Sequence, residues 1–157
     1  MVQVYASCVA IDGLALLLRG PSGAGKSDLA LRLVDEGAQL VADDRVDLLP
    51  DGRGGLLARC PRPVAGLMEV RGLGVLPVPA IDSAPLVLLV DLGPEGDRLP
   101  DPGMDLLAGV MLPLIRLNPF HASTPAKLRL AVAALSRGWP GEESWRRVAA
   151  MAAGGQA

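Results

Sequence analysis

Short apolar runs punctuated by glycine, proline and aspartate dominate the chain, and only a few stretches carry the three-to-four-residue spacing of a helix. Val2 to Ile11 predicts a strand with Val2, Val4, Ala6 and Cys8 on one face. Asp12-Gly13 makes a hairpin-type turn into the buried run Leu14 to Leu18. Asp28 to Glu36 puts Leu29, Ala30, Leu33 and Val34 on one helical face, and Gly37 stands where a C-terminal cap belongs. Gln39 to Ala42 is a short strand ending in Asp43-Asp44. Val46 to Leu49, the turn Pro50 to Gly55 and a returning Leu56 to Ala58 follow. Pro61-Arg62-Pro63 breaks the ladder and implies an exposed link. Leu67 to Leu76 predicts a strand interrupted by two glycines, Pro77 to Pro85 a loop, and Leu86 to Asp91 the most hydrophobic strand. Gly93 to Gly103 predicts a flexible surface loop, and Gly109 to Leu117, with Pro113 inside it, an edge strand. Thr124 as N-cap and Pro125 in the first turn open a helix with the stripe Leu128, Ala131, Val132 and Leu135, stopped by Gly138. A last helix from Glu142 to Ala152 is anchored by Trp145, and residues 154–157 form a frayed tail after a single domain over 1–153. Many hairpins and few helices predict an α/β chain of the α+β-like kind: a mixed, largely antiparallel sheet with helices packed against it.

A length of 157 residues fits one domain with a core large enough to fold unaided. Half the residues are hydrophobic but 3% are aromatic, so leucine, valine and alanine must build the core. A net charge of −2 and a pI near 5.3 argue against sequence-independent binding of nucleic acid. Cys8 and Cys60 make no disulfide framework and read as reduced, buried thiols of a cytoplasmic protein. The N-terminus reads as a strand, not a signal peptide, and no apolar run approaches the roughly 18 residues of a membrane span.

The chemistry gathers around Gly20-Pro21-Ser22-Gly23-Ala24-Gly25-Lys26-Ser27, which fits the phosphate-binding pattern G-x-x-x-x-G-K-[ST] at every fixed position. Its glycines let backbone N–H groups turn inward around a polyphosphate. Lys26 adds a charge for the β and γ oxygens, Ser27 offers a hydroxyl to Mg²⁺, and the helix aims its positive end at the same anion. A buried strand before it and an amphipathic helix after it supply the expected context. A carboxylate at the end of a hydrophobic strand should serve the metal. Asp91 and the Asp43-Asp44 pair both qualify, the pair reading equally well as a turn or cap. Glu69 and Arg71, two apart on a strand, emerge on one face before Gly72-Leu73-Gly74; they read as a phosphate-and-metal site or as a surface ion pair. Arg98 in the flexible loop is either a mobile cation for a transferring phosphoryl group or a solvated arginine.

Taken together, Gly20 to Ser27 continuing through Val34, Leu40 to Val46, Glu69 to Gly74 and Asp97 to Leu99 resemble the HPr kinase/phosphorylases. The resemblance runs from Val2 to Leu135 and covers the family's kinase domain alone. It implies a P-loop kinase domain of the HPr kinase and PEP carboxykinase type, using ATP and Mg²⁺, with pyrophosphate left open as a substitute for ATP. The implied reaction is phosphorylation of a serine of the phosphocarrier HPr or a paralogue, reversible by phosphorolysis. By the same resemblance Lys26 binds the β and γ phosphates, and Ser27 and Glu69 hold Mg²⁺. Asp43 and Asp44 supply the base, which of the two being left open, and Arg98 stabilises the transferring group. A homo-oligomer, hexameric in relatives, is also implied, with no nucleic-acid or membrane partner. Tyr5 stands where the family usually has a histidine, and Leu117 to Thr124 replaces a basic, glycine-containing loop; both departures bear on phosphorolysis more than on the kinase reaction. His121, the sole histidine, lies in a polar loop where it needs no special role. A non-catalytic nucleotide sensor and a small-molecule kinase are the alternative readings. A GTPase is disfavoured, since no Asn-Lys-x-Asp motif is present.

Overall fold

The computed structural model describes residues 1–61, 66–100 and 103–141. Eleven strands and two helices are assigned there: β1 (Val2–Tyr5), β2 (Ser7–Ile11), β3 (Leu14–Arg19), α1 (Lys26–Asp35), β4 (Gln39–Ala42), β5 (Arg45–Pro50), β6 (Leu56–Arg59), β7 (Leu67–Val70), β8 (Gly74–Pro77), β9 (Ser83–Leu92), β10 (Gly103–Leu107), β11 (Val110–Leu117) and α2 (Thr124–Leu135). The helix expected over 142–152 and the tail lie outside the described residues.

Nine strands form one mixed sheet in the order β1-β5-β6-β9-β3-β2-β4, with β11 joined to β9 and β10 to β11. Two of its pairings, β3 with β9 and β9 with β11, are parallel and the rest antiparallel. The expected largely antiparallel sheet is therefore present, with a parallel seam at its centre. β3 shows why Leu14 to Leu18 is a continuous apolar run. Ala15 and Leu17 face one core and Leu16 and Leu18 the other, so all four central positions of the strand are shielded from water. Across the seam the register slips between Ala15 and Leu16, which pair with Leu86 and Leu88. The extra residue, Val87, reverses the alternation, so that Leu86 and Leu89 point into the same core. The second core takes the buried faces of both helices: Leu29, Ala30, Leu33 and Val34 from α1, and Leu128 and Val132 from α2. Each such leucine contributes roughly 1.5–3 kcal/mol relative to exposure.

Several strand assignments differ from expectation. The first strand breaks at Ala6 into β1, which pairs with β5, and β2, which pairs with β3 and β4. Leu67 to Leu76 is a hairpin, β7 to β8, and Arg71 lies in its turn and not on the strand with Glu69. Gly72 and Gly74, at φ +89° and +115°, reverse the chain instead of merely interrupting it. β11 is no edge: it lies between β9 and β10 (Gly103–Leu107), the true edge, which falls between the expected loop ending at Gly103 and the expected strand starting at Gly109. Pairing of β11 with β9 begins at Leu114, so Pro113 sits where the N–H side has no neighbour in β9. In α2 the N-cap is Ser123, and Thr124 is the first helical residue. Its hydroxyl donates to the carbonyl of Asn118 instead of capping the helix.

Candidate active site

The phosphate loop connects the end of β3 to α1. Gly25 takes the left-handed conformation at φ +96° and ends the loop as the N-cap of α1, with no side chain capping the helix. The first N–H groups of α1 are therefore open to an anion. A Cβ on Gly25 would stand 3.1 Å from Phe120 and 3.2 Å from Pro119, so the loop packs under the Pro119-Phe120 segment. A Cβ on Gly20 would stand 2.8 Å from Ala24 and 3.4 Å from the carbonyl of Leu92. Lys26 Nζ folds back and donates to the carbonyls of Gly20 and Pro21, the latter at 3.0 Å. A lysine parked on its own loop carbonyls is ready to exchange them for phosphate oxygens.

Asp43 links this loop to the strand-end carboxylates. Its Oδ1 accepts from Ser27 Oγ at 2.9 Å and from Ser7 Oγ at 2.7 Å. Ser7 is wholly buried in β2, and the sequence pattern does not single it out as a neighbour of Asp43. Its signal was slight: a lone hydroxyl in an otherwise apolar strand. Asp43-Asp44 joins β4 to β5 opposite the break at Ala6, whose N–H donates to the carbonyl of Asp44 at 3.1 Å. Asp44 is left-handed at φ +77°, a conformation that costs a non-glycine residue about 1 kcal/mol or more. That turn leaves both carboxylates on one cleft of about 390 Å³, lined also by Arg45, Cys60, Leu67 and Glu69.

Glu69 reaches the cleft from β7. Its neighbour Met68 is buried in the helix-side core, so alternation along the strand turns Glu69 outward. Behind the hairpin the chain is tied to β4, where Leu40 donates to Pro79 at 2.8 Å and accepts from Ile81 at 3.0 Å. Asp43, Asp44 and Glu69 thus converge on one cleft, and Ser27 meets them through Asp43. Arg98 is exposed on the loop after β9, outside the residues lining this cleft. His121 lies apart too, its Nδ1 3.9 Å from Glu95, whose carboxyl is held low by the Lys127 ammonium. Asp91, the rival carboxylate, is taken by Arg19, whose Nε donates to it at 2.7 Å while a second nitrogen reaches Asp105 at 2.9 Å. It is a strut between β3, β9 and β10.

The family model of the HPr Serine kinase C-terminal domain matches residues 1–84, more than half of the chain. The chain belongs to that family. The matched stretch contains the phosphate loop, Asp43, Asp44 and Glu69; Arg98 lies beyond it. Among curated proteins the chain is similar to the HPr kinase/phosphorylase of Leptothrix cholodnii, 49% identical over 71 residues, 45% of this chain and 22% of the relative. It is similar also to that of Lactobacillus acidophilus, 41% identical over 76 residues, 48% of this chain and 24% of the relative. The similarity therefore spans about a quarter of these relatives' length. In structure the chain resembles the Hpr(Ser) kinase/phosphatase from Coxiella burnetii, with a TM-score of 0.76 and 25% identity, over 90% of this chain and 100% of the other. The HPr kinase domain fold expected from the loop and strand-end motifs is the fold found. Among the described residues no helix is long and apolar enough to cross a membrane.

Proposed function

We propose that this HPr kinase domain transfers the γ-phosphoryl group of ATP to a serine hydroxyl of the phosphocarrier HPr or a paralogue. The observation that carries the reading is the hydrogen bond from Ser27 to Asp43, which couples the phosphate loop to the cleft holding Asp44 and Glu69. The residues fit the groups this chemistry needs. Backbone N–H groups at the uncapped start of α1, with Lys26, suit a polyphosphate. The hard oxygens of Ser27 and Glu69, with Asp43 beside them, suit Mg²⁺, which keeps several waters and phosphate oxygens and so needs few protein ligands. When bound, the ion neutralises charge on the β and γ oxygens.

Lys26 leaves its loop carbonyls to hold those oxygens. Asp43, with one oxygen engaged by two hydroxyls, orients Ser27. Asp44 makes no side-chain hydrogen bond among the described residues, and so is the carboxylate left to accept the proton of the incoming serine. By microscopic reversibility it returns that proton to the serine oxygen when phosphate attacks phosphoserine. Arg98, on a loop that starts beside Leu92 and hence beside Gly20, closes over the transferring group. Pyrophosphate in place of ATP, assembly as a homo-oligomer and a cytoplasmic location belong to the same reading.

The test is to mix the chain with Mg-ATP and HPr and follow the carrier by intact mass. One added phosphoryl group, lost with Lys26→Ala, supports the kinase. Nucleotide binding with ATP and carrier both unchanged points instead to a sensor, and transfer to a metabolite without any carrier points to a small-molecule kinase.

A further inference from the structure

The cleft carries three carboxylates, Asp43, Asp44 and Glu69, and a single cation, Arg45, among its described lining residues. Arg45 faces Tyr5 across the β1–β5 pair, and its guanidinium carbon sits 5.6 Å from the centre of the tyrosine ring. A cation–π contact of this kind uses the charge of the guanidinium and does not consume its N–H donors. Although Arg45 follows two aspartates in sequence, its side chain makes no ion pair or hydrogen bond among the described residues. Tyr5 is 72% exposed, a large aromatic residue left in water with the arginine set over its ring. A guanidinium set over an aromatic ring, unpaired among the described residues and beside an acidic cleft, suits a planar or tetrahedral oxyanion.

We propose that Arg45, positioned by Tyr5, binds the phosphate monoester of a phosphoserine at the acceptor side of the cleft. The proposal rests on the kinase reading above. It supplies what that cleft otherwise lacks: a site with net negative lining must hold a dianionic product, or admit it for the reverse reaction, and Lys26 is committed to the nucleotide side. Tyr5 is a positioning residue, acting through the arginine. Its hydroxyl is dispensable, and its ring is not.

The test measures binding in the Lys26→Ala background, so that the phosphate loop does not compete. A peptide containing phosphoserine, its unphosphorylated twin and inorganic phosphate are each titrated by isothermal calorimetry. Arg45→Gln should weaken phosphopeptide binding by about tenfold or more, the effect of losing a charge-assisted contact. Arg45→Lys should fall between. Tyr5→Phe should bind as the parent does, and Tyr5→Leu should lose about two- to fivefold, as expected for an exposed cation–π contact. Inorganic phosphate with the same Arg45 dependence supports the site as one that reads the phosphate group itself. Phosphopeptide binding that is absent in the parent, or equal in Arg45→Gln, overturns the proposal. So does an Arg45 dependence shared by the unphosphorylated twin. Because no turnover is read, failure of the kinase assay and failure of this site are separate results.

Discussion

Asp43 accepts two hydroxyls through one oxygen, so two substitutions separate its structural part from its chemical part. In Asp43→Ala the wholly buried Ser7 hydroxyl loses its acceptor at 2.7 Å, whereas the exposed Ser27 hydroxyl turns to water. An orphaned buried hydroxyl costs about 1–3 kcal/mol. With a urea slope of about 1–3 kcal/mol per molar for a small domain, the unfolding midpoint should fall by about 1 M. In Asp43→Asn the amide oxygen still accepts from Ser7, and less than half of that shift is expected. The charge beside Ser27 is gone, however, and the phosphotransfer rate should fall on the order of 10²–10³, as for loss of one preorganised electrostatic group. Adding Ser7→Ala to Asp43→Ala deletes the orphan and should restore part of the midpoint. Urea titrations followed by far-ultraviolet circular dichroism read the first quantity, and carrier mass against time reads the second. Equal midpoints for the alanine and asparagine variants would refute the structural argument. Wild-type transfer by Asp43→Asn would refute the chemical one.

Three further outcomes follow from the same geometry. Asp91→Ala should lower stability by roughly 1 kcal/mol, the scale of a part-exposed ion pair, and change transfer less than threefold, because Arg19 holds Asp91 away from the cleft; a rate loss of a hundredfold would make it the metal carboxylate after all. Asp51 accepts from the N–H groups of Arg53 and Gly55, which hold its carboxyl below the usual range. A folded-state value below the unfolded one means stabilisation that is present above about pH 4 and is lost as pH falls through the folded value. The midpoint gap between wild type and Asp51→Ala should therefore shrink on acidification below pH 4, and a gap that widens there contradicts the assignment. Cys8 is wholly buried and its thiol is pushed far up by desolvation; Cys60 is pushed up as well. Both should resist a disulfide reagent at pH 8 in the folded chain and react promptly in urea. Fast labelling of Cys8 in the native protein would disprove its burial.

What the sequence discloses is mostly local. The phosphate loop, the buried face of α1 and the bounds of β4 are each written in adjacent residues, by glycine spacing, by a three-to-four-residue period and by a short apolar run between turns. The Asp43-Asp44 pair was visible as a strand end, and Glu69 as one half of an i, i+2 pair with Arg71, although Arg71 lies in the turn. Non-local pairing was not visible. β10 hides in Gly103-Met104-Asp105-Leu106-Leu107 because an edge strand with no fully buried residue carries a weak pattern. β11 read as an edge because Pro113 says where a ladder is missing, not that another begins one residue later. The role of Ser7 depends on β2 and β4 lying side by side, and the stacking of Arg45 on Tyr5 depends on the β1–β5 register. Neither distance is encoded in spacing along the chain.

If the domain is a serine kinase as proposed, the phosphate loop and the Asp43–Asp44–Glu69 cleft must work together. The most direct test supplies ATP labelled in the γ-phosphoryl group with HPr and Mg²⁺, then maps the label on the carrier for the wild type and for Asp44→Asn. Label is expected on one serine of the carrier with the wild type, with a loss on the order of 10² or more for Asp44→Asn and nucleotide binding unchanged. A carrier that stays unlabelled while the wild type binds nucleotide, or equal labelling by Asp44→Asn, would contradict the proposal.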